Sequence, residues 1–184
     1  MKLIIGLLTV GLVTASVTFA QEIVSQGLYS LKKTKEPKTL VARVNGGAVK
    51  ANHLAEYEVQ RQETENQSGK MDMVLYNQDS KQKIELRTQT FSSVSDAEIG
   101  VLNLLNSQSS IYTNGSLSGR PIGDNVWHST QGETGATTII FIRNNVVVLI
   151  FARQGVLVDP LAVNLDADIL AGKNGIELRA EPAN

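Results

Sequence analysis

The chain has 184 residues, with 17 Lys and Arg against 18 Asp and Glu, for a formal net charge of −1. That balance offers no basic surface to nucleic acid or an anionic membrane, so neither partner is expected. The chain contains no cysteine, which excludes thiol nucleophiles, thiolate metal sites and disulfides. At the start, Lys2 precedes an apolar run from Leu3 to about Val17, and Thr18-Phe19-Ala20 places small residues where a signal peptidase reads. Residues 1–20 therefore read as a signal peptide cut before Gln21, and the protein as secreted or periplasmic. The run is too short for a bilayer span of about 20 residues, so no membrane span is expected once the signal is removed. The remainder has the length of one domain. It divides into an N-terminal extension (21–47), a single α+β domain (48–175) and a polar C-terminal tail (176–184).

In the extension, Lys32 to Lys38 is a polar, basic stretch interrupted by Pro37, and reads as a solvated loop. Leu40 to Val44 is a candidate short strand, and Asn45-Gly46-Gly47 marks a turn. Ala48 to Ala55 fits a helical stripe. The pattern then switches to alternation. Strands are expected at about 56–64, at Met71–Asn77 and at Lys81–Phe91, where Ile84 and Leu86 oppose Lys83, Glu85 and Arg87. This is a meander with one wet face. A capping box follows at Ser95 to Glu98, with Val94 and Ile99 at the staple positions. The buried stripe Ala97, Val101, Leu102, Leu104 and Leu105 carries the helix to about Ser107.

Residues 107–125 form a long connection rich in Ser, Gly and Asn, a length that often marks a binding or mobile loop. Within it, Pro121 and Gly123 shape a turn. A strand is expected at 126–130 and a turn at 131–136. The stretch FIRNNVVVLIF (Phe141–Phe151) then reads as a hairpin turning at Asn144-Asn145 in a type I′ turn. A bilayer span is excluded because Arg143 would lie at its middle. The register sets Arg143 against Val146, Phe141 against Val148 and Ile139 against Ile150. One face carries Ile139, Phe141, Val148 and Ile150, and the other Ile140, Ile142, Val147, Leu149 and Phe151. Both faces must be covered. The two helices are expected on one face. The N-terminal segment, a fold-over of the sheet or a second copy is expected on the other. Asp159 and Pro160 open a second helix with Leu161, Leu165 and Ile169 in its stripe, and Gly172 ends it. The fold class is thus α+β: a mostly antiparallel sheet made from a meander, a helix, a strand plus hairpin, and a second helix, with the helices packed on the sheet. The strands-then-helix order occurs twice.

No constellation of residues identifies a reaction. There are two histidines, His53 and His128. On a strand, Asp124, Val126 and His128 share a face, so Asp124 can orient His128. Ser129 points to the other side and cannot serve as the nucleophile of that pair. Gly-x-Ser-x-Gly, His-Glu-x-x-His, calcium-loop and phosphate-loop patterns are all lacking, so no catalytic residue, metal ligand or cofactor is assigned. Trp127 is read as core. A second reading places Tyr112, Arg120, Asp124, Trp127 and His128 around a ligand cleft at loop 107–125. Asn66-Gln67-Ser68 and Asn114-Gly115-Ser116 match the glycosylation sequon, which has meaning only in a eukaryotic source.

The segments SDAEIGVLNLL, SGRPIGDNVW and TTIIFIRNNVVVLIF, with the closing helix, resemble a loose group of secreted bacterial α+β proteins. The architecture is also similar to the Mog1/PsbP-like arrangement, a sheet between helices. The resemblance covers about residues 56–171 and implies a fold without implying any catalytic residue. The expected function is an exported, non-enzymatic binding or accessory module for a protein or small-molecule ligand. The alternatives are a hydrolase using His128 and Asp124, and a homo-oligomeric envelope protein, such as a homodimer, joined through one hairpin face.

Overall fold

The computed structural model describes residues 22–34, 38–44, 56–65, 67–115, 121–130, 136–153 and 156–180. The signal-peptide reading, the Asn45-Gly46-Gly47 turn, the 48–55 stripe with His53 and the turn at 131–135 lie outside them. Eleven strands and two helices are described: β1 (Ile23–Gln26), β2 (Tyr29–Lys32), β3 (Thr39–Val44), β4 (Glu58–Glu65), β5 (Lys70–Tyr76), β6 (Lys83–Thr90), α1 (Val94–Ser107), β7 (Thr113–Asn114), β8 (Asn125–Thr130), β9 (Ala136–Arg143), β10 (Val146–Ala152), α2 (Asp159–Ala171) and β11 (Ile176–Ala180). The fold is α+β. One seven-stranded sheet runs β4-β5-β6-β10-β9-β8-β7, flanked by two two-stranded sheets, β1-β2 and β11-β3. Every pairing is antiparallel.

Two meanders meet at the centre of the large sheet. β10 pairs with β6 along its whole length, Val146 against Thr90 through Ala152 against Ile84. The expected hairpin register is found: Arg143↔Val146, Phe141↔Val148 and Ile139↔Ile150. A hairpin at the centre of a sheet has both faces inside, which is why its strands read as continuous apolar runs. Ile139, Phe141, Val148 and Ile150 enter one core with Leu161, Leu165 and Ile169 of α2, Val41 and Val44 of β3, and Ile176 of β11. Ile140, Ile142, Val147 and Leu149 enter a second core with Val101, Leu102 and Leu105 of α1, Leu31 of β2 and Trp127.

The helices therefore lie on opposite faces, which corrects the expectation that both would cover one. Each brings an N-terminal strand to its side, β2 with α1 and β3 with α2. The repeated strands-then-helix order is consequently not a spatial two-fold. A rotation that exchanged the meanders, with their reversed order and antiparallel join, would have to leave both helices on the same face.

The meander behaves as expected. Met71, Met73, Leu75, Ile84 and Leu86 are buried, while Lys83, Glu85 and Arg87 alternate outward. The start of α1 differs. Ser93 is the N-cap, and its hydroxyl accepts the Asp96 N–H at 3.0 Å. Glu98 takes no part in the cap. It is buried, and accepts the Thr34 N–H at 2.7 Å, tying the segment after β2 to the helix. Val94 is buried and Ile99 is half exposed, so no staple forms between them. α2 begins at Asp159, with buried Val158 as its N-cap and no side-chain cap bond. Pro160 lies in its first turn, and Gly172 ends it in the left-handed conformation, φ +59°.

The hairpin turn is also different in type. Only Asn144 has a positive φ, +53°. Positive φ at the first central residue alone is the pattern of type II′, where type I′ needs it at both. Asn145 is fully buried and bonds outward instead. Its side-chain carbonyl accepts the Val41 N–H at 2.8 Å, and its amide donates to the Val41 and Phe91 carbonyls at 2.8 and 2.7 Å.

Candidate functional site

The sequence-derived cleft residues are not brought to one place. Trp127 is fully buried under α1, as its core reading expects, and its neighbours there include Tyr112. Its place on β8 puts His128 on the other face, opposite Thr113 and Ile139. The Nδ1 atom of His128 is buried without a hydrogen-bond partner. Arg120 lies outside the described residues.

Asp124 is engaged elsewhere. Its Oδ1 accepts from Arg143 Nη1 at 2.6 Å and its Oδ2 from the Asn144 N–H at 2.8 Å. Arg143 also binds Asp166 of α2 through both arms of its fork, Nε to Oδ1 at 2.7 Å and Nη2 to Oδ2 at 2.8 Å. Burial pulls the Arg143 pKa down, but hydrogen bonds and charge from Asp166, then Asp124, outweigh this and leave it raised. The trio joins the β8 entry, the hairpin turn and α2. Gly123 makes the entry possible. Its φ is +66°, and a Cβ there would lie 2.6 Å from the Ile142 carbonyl oxygen, which receives the Asp124 N–H at 2.7 Å.

Two concave surfaces among the described residues are large enough to hold a ligand. One depression, about 450 Å³, lies between β1–β2 and the entry to β8, with Lys32, Asp124 and Asn125 in its wall. Its polar groups are largely engaged within the chain. Asn125 accepts the Lys32 N–H at 2.9 Å and donates to the Lys32 carbonyl at 2.8 Å.

The other surface is a groove where α1 stops short of the wet face of the meander. It has two compartments, of about 290 and 370 Å³. They share Arg87 on the wall and Leu149 on the floor. Together these volumes fall in the range of ligand sites, roughly 300–1,000 Å³. The first runs between Gly100 and Leu104 of α1 and Lys70, Asp72 and Gln89 of β5–β6, over Val147. The second continues past Gln108, Ser110 and Tyr112 over Phe151, with Glu85 opposite. Burial raises the Tyr112 pKa, while a Ser110 hydrogen bond opposes that shift, so the phenol stays neutral and can donate.

The floor is the end of the hairpin's second face. Ile150, on the α2 side, is 0% exposed, Leu149 is 9% exposed, and Phe151 is only half-buried. The walls carry both signs of charge, with Arg87 Nε 3.0 Å from Asp72 Oδ1. That pair is more than half exposed on the Arg side and contributes at most about 1 kcal/mol, so a ligand can displace it at little cost. Sequence reading found only the part of this groove that loop 107–125 supplies, Gln108, Ser110 and Tyr112, because the rest comes mainly from β5, β6, α1 and β10. Each of those segments reads as ordinary alternation or stripe by itself.

Among the described residues no group of three or more His, Asp or Glu side chains is placed to hold a metal ion, and no helix is long and apolar enough to cross a membrane. Comparison of the chain with models of protein families, with characterised proteins and with solved structures finds no match.

Proposed function

We propose that the protein is an exported, non-enzymatic binding module, and that the groove beside α1 receives an extended segment of a partner polypeptide. The observation that carries this reading is the thinning cover over β10, where Val147, Leu149 and Phe151 form an apolar floor that α1 leaves partly open. An apolar floor accepts alternate side chains of an extended strand. Walls lined by Lys70, Asp72, Glu85, Arg87 and Gln89 offer donors and acceptors to its backbone. The near-zero local charge favours a neutral, amphipathic segment over a nucleic acid or phosphate ligand.

A hydrolase using His128 has less support, because both oxygens of Asp124 are held by Arg143 and Asn144. An assembly through a hairpin face has less support because α2 covers one face and α1 most of the other within the chain. Export rests on residues 1–20. The mass of the exported product should correspond to a chain starting at Gln21, and a product keeping its first twenty residues would contradict that part.

Binding is tested with peptides selected from a displayed library. Arg87→Glu or Leu104→Ser should weaken them about tenfold, or 1.4 kcal/mol. Glu177→Gln, on an exposed residue of β11 across the sheet, should not. Peptides indifferent to both groove substitutions would refute the assignment.

A further inference from the structure

β4 forms one border of the seven-stranded sheet, and no described strand lies beyond it. It is eight residues long, EVQRQETE, and exposed along nearly its whole length. A long edge presents unpaired backbone N–H and C=O groups, and proteins usually blunt such edges with proline, bulges or charge. β4 has no proline. Its irregularity falls between Val59 and Arg61, leaving Arg61 to Glu65 in regular register with β5. Its remaining protection is charge, and that charge is self-complementary.

We infer that β4 is a docking edge for a second copy of this chain, paired antiparallel about a two-fold axis at Gln62. In that register Arg61 of each copy lies directly opposite Glu63 of the other, and Gln62 lies opposite Gln62. Directly opposed residues share a face, so both pairs form on the same side. Neighbouring registers fare worse. A slip of one residue loses both pairs. A slip of two sets Arg61 against Arg61, or sets Glu63 against Glu63 while Arg61 meets Glu65. The charges that repel an arbitrary strand thus select a copy of this one and fix its alignment. Arg61 and Glu63 already meet within the chain, Nε to Oε1 at 3.1 Å, and both are more than 60% exposed. They can therefore be exchanged without disturbing the core. The contact is a backbone ladder with little buried apolar area, so it forms a weak, concentration-dependent dimer. It is independent of the groove beside α1.

The test uses the full-length mature chain and measures its mass in solution over a range of concentrations. The wild type should shift from one chain mass to two as concentration rises. Arg61→Glu alone and Glu63→Arg alone should each remain monomeric, since each sets like charges across the axis. An equimolar mixture of the two variants should recover the dimer, because each copy then supplies the charge the other needs. Mixing leaves the clash within each chain unchanged, so recovery reports the contact between copies. The register has a second readout, because the natural chain has no cysteine. Gln62→Cys should oxidise to a disulfide-linked dimer much faster than Glu177→Cys. A wild type that stays monomeric, a dimer indifferent to Arg61→Glu, or a mixture that stays monomeric would each overturn the inference.

Discussion

Asn145 holds together three parts of the chain that are distant in sequence. Its partners, Val41 and Phe91, are 104 and 54 residues away, and its backbone carbonyl also accepts the Phe91 N–H at 2.8 Å. Removing its side chain would leave one N–H and two carbonyls buried without partners, at about 1–3 kcal/mol for each group left unsatisfied. Asn145→Ala should therefore lower unfolding stability by more than about 2 kcal/mol in denaturant titrations. The neighbouring residue does something different. Asn144 supplies the positive φ of the turn, a conformation glycine adopts without strain. Asn144→Gly should change stability by less than about 1 kcal/mol. Equal effects at the two positions would contradict this division of roles. The sequence showed where the turn falls, since two asparagines interrupt an apolar run. It did not show which asparagine turns and which clamps, because the clamp is made by residues far along the chain. The same limit applies to Asp124. Sequence reading set it on a strand face with His128, but it lies just before β8 and is held by Arg143 and Asn144.

The helices illustrate the same limit at the level of elements. Their stripes were legible: Ala97, Val101, Leu102 and Leu105 in α1, and Leu161, Leu165 and Ile169 in α2, are all buried, while Leu104, expected in the α1 stripe, is half-buried at the groove. The start of α1 was misplaced by two residues, since sequence reading took Ser95 with Glu98 as the cap and the structure uses Ser93 with Asp96. Tertiary structure decides between them, since Glu98 is drawn inward to the Thr34 N–H. Asp96 is then the acidic group of the first turn. Its pKa is lowered by hydrogen bonds from Ser92 first and Ser93 second. A carboxyl with a folded pKa below its unfolded value stabilises the fold above the ordinary Asp range, and that contribution is lost as pH falls through the lowered value. Asp96→Asn should thus lower the unfolding midpoint slightly at neutral pH, and the difference from wild type should vanish in acid. A difference that persists or grows in acid would show that the carboxylate charge is not the cause. The two N-terminal strand segments were the least legible elements. β1–β2 and β3 are short and partly polar, and their roles appear only when Leu31 and Val41 are placed in opposite cores.

At the scale of the whole molecule, two apolar hairpin faces implied two covering layers. The structure assigns α1 with β1–β2 to one and α2 with β3 and β11 to the other. The unequal quality of that cover was not legible. The α2 side seals Phe141, Val148 and Ile150 completely, whereas the α1 side ends before Phe151 and leaves the groove. Covering β10 completely would take a longer α1 or a bulkier residue than Gly100. A Cβ at Gly100 would fall 2.3 Å from the Phe91 ring, so Phe91 would have to shift to admit one. The account of function therefore rests on whether this gap is occupied. The most direct measurement is a titration of the isotopically labelled chain with short extended peptides, followed by backbone NMR. Binding in the groove predicts saturable shift changes concentrated at Arg87, Gly100, Leu104 and Leu149, with Lys32 and Asn125 unmoved. Changes confined to Lys32, Asn125 and their neighbours, or no saturable change at any residue, would contradict the account.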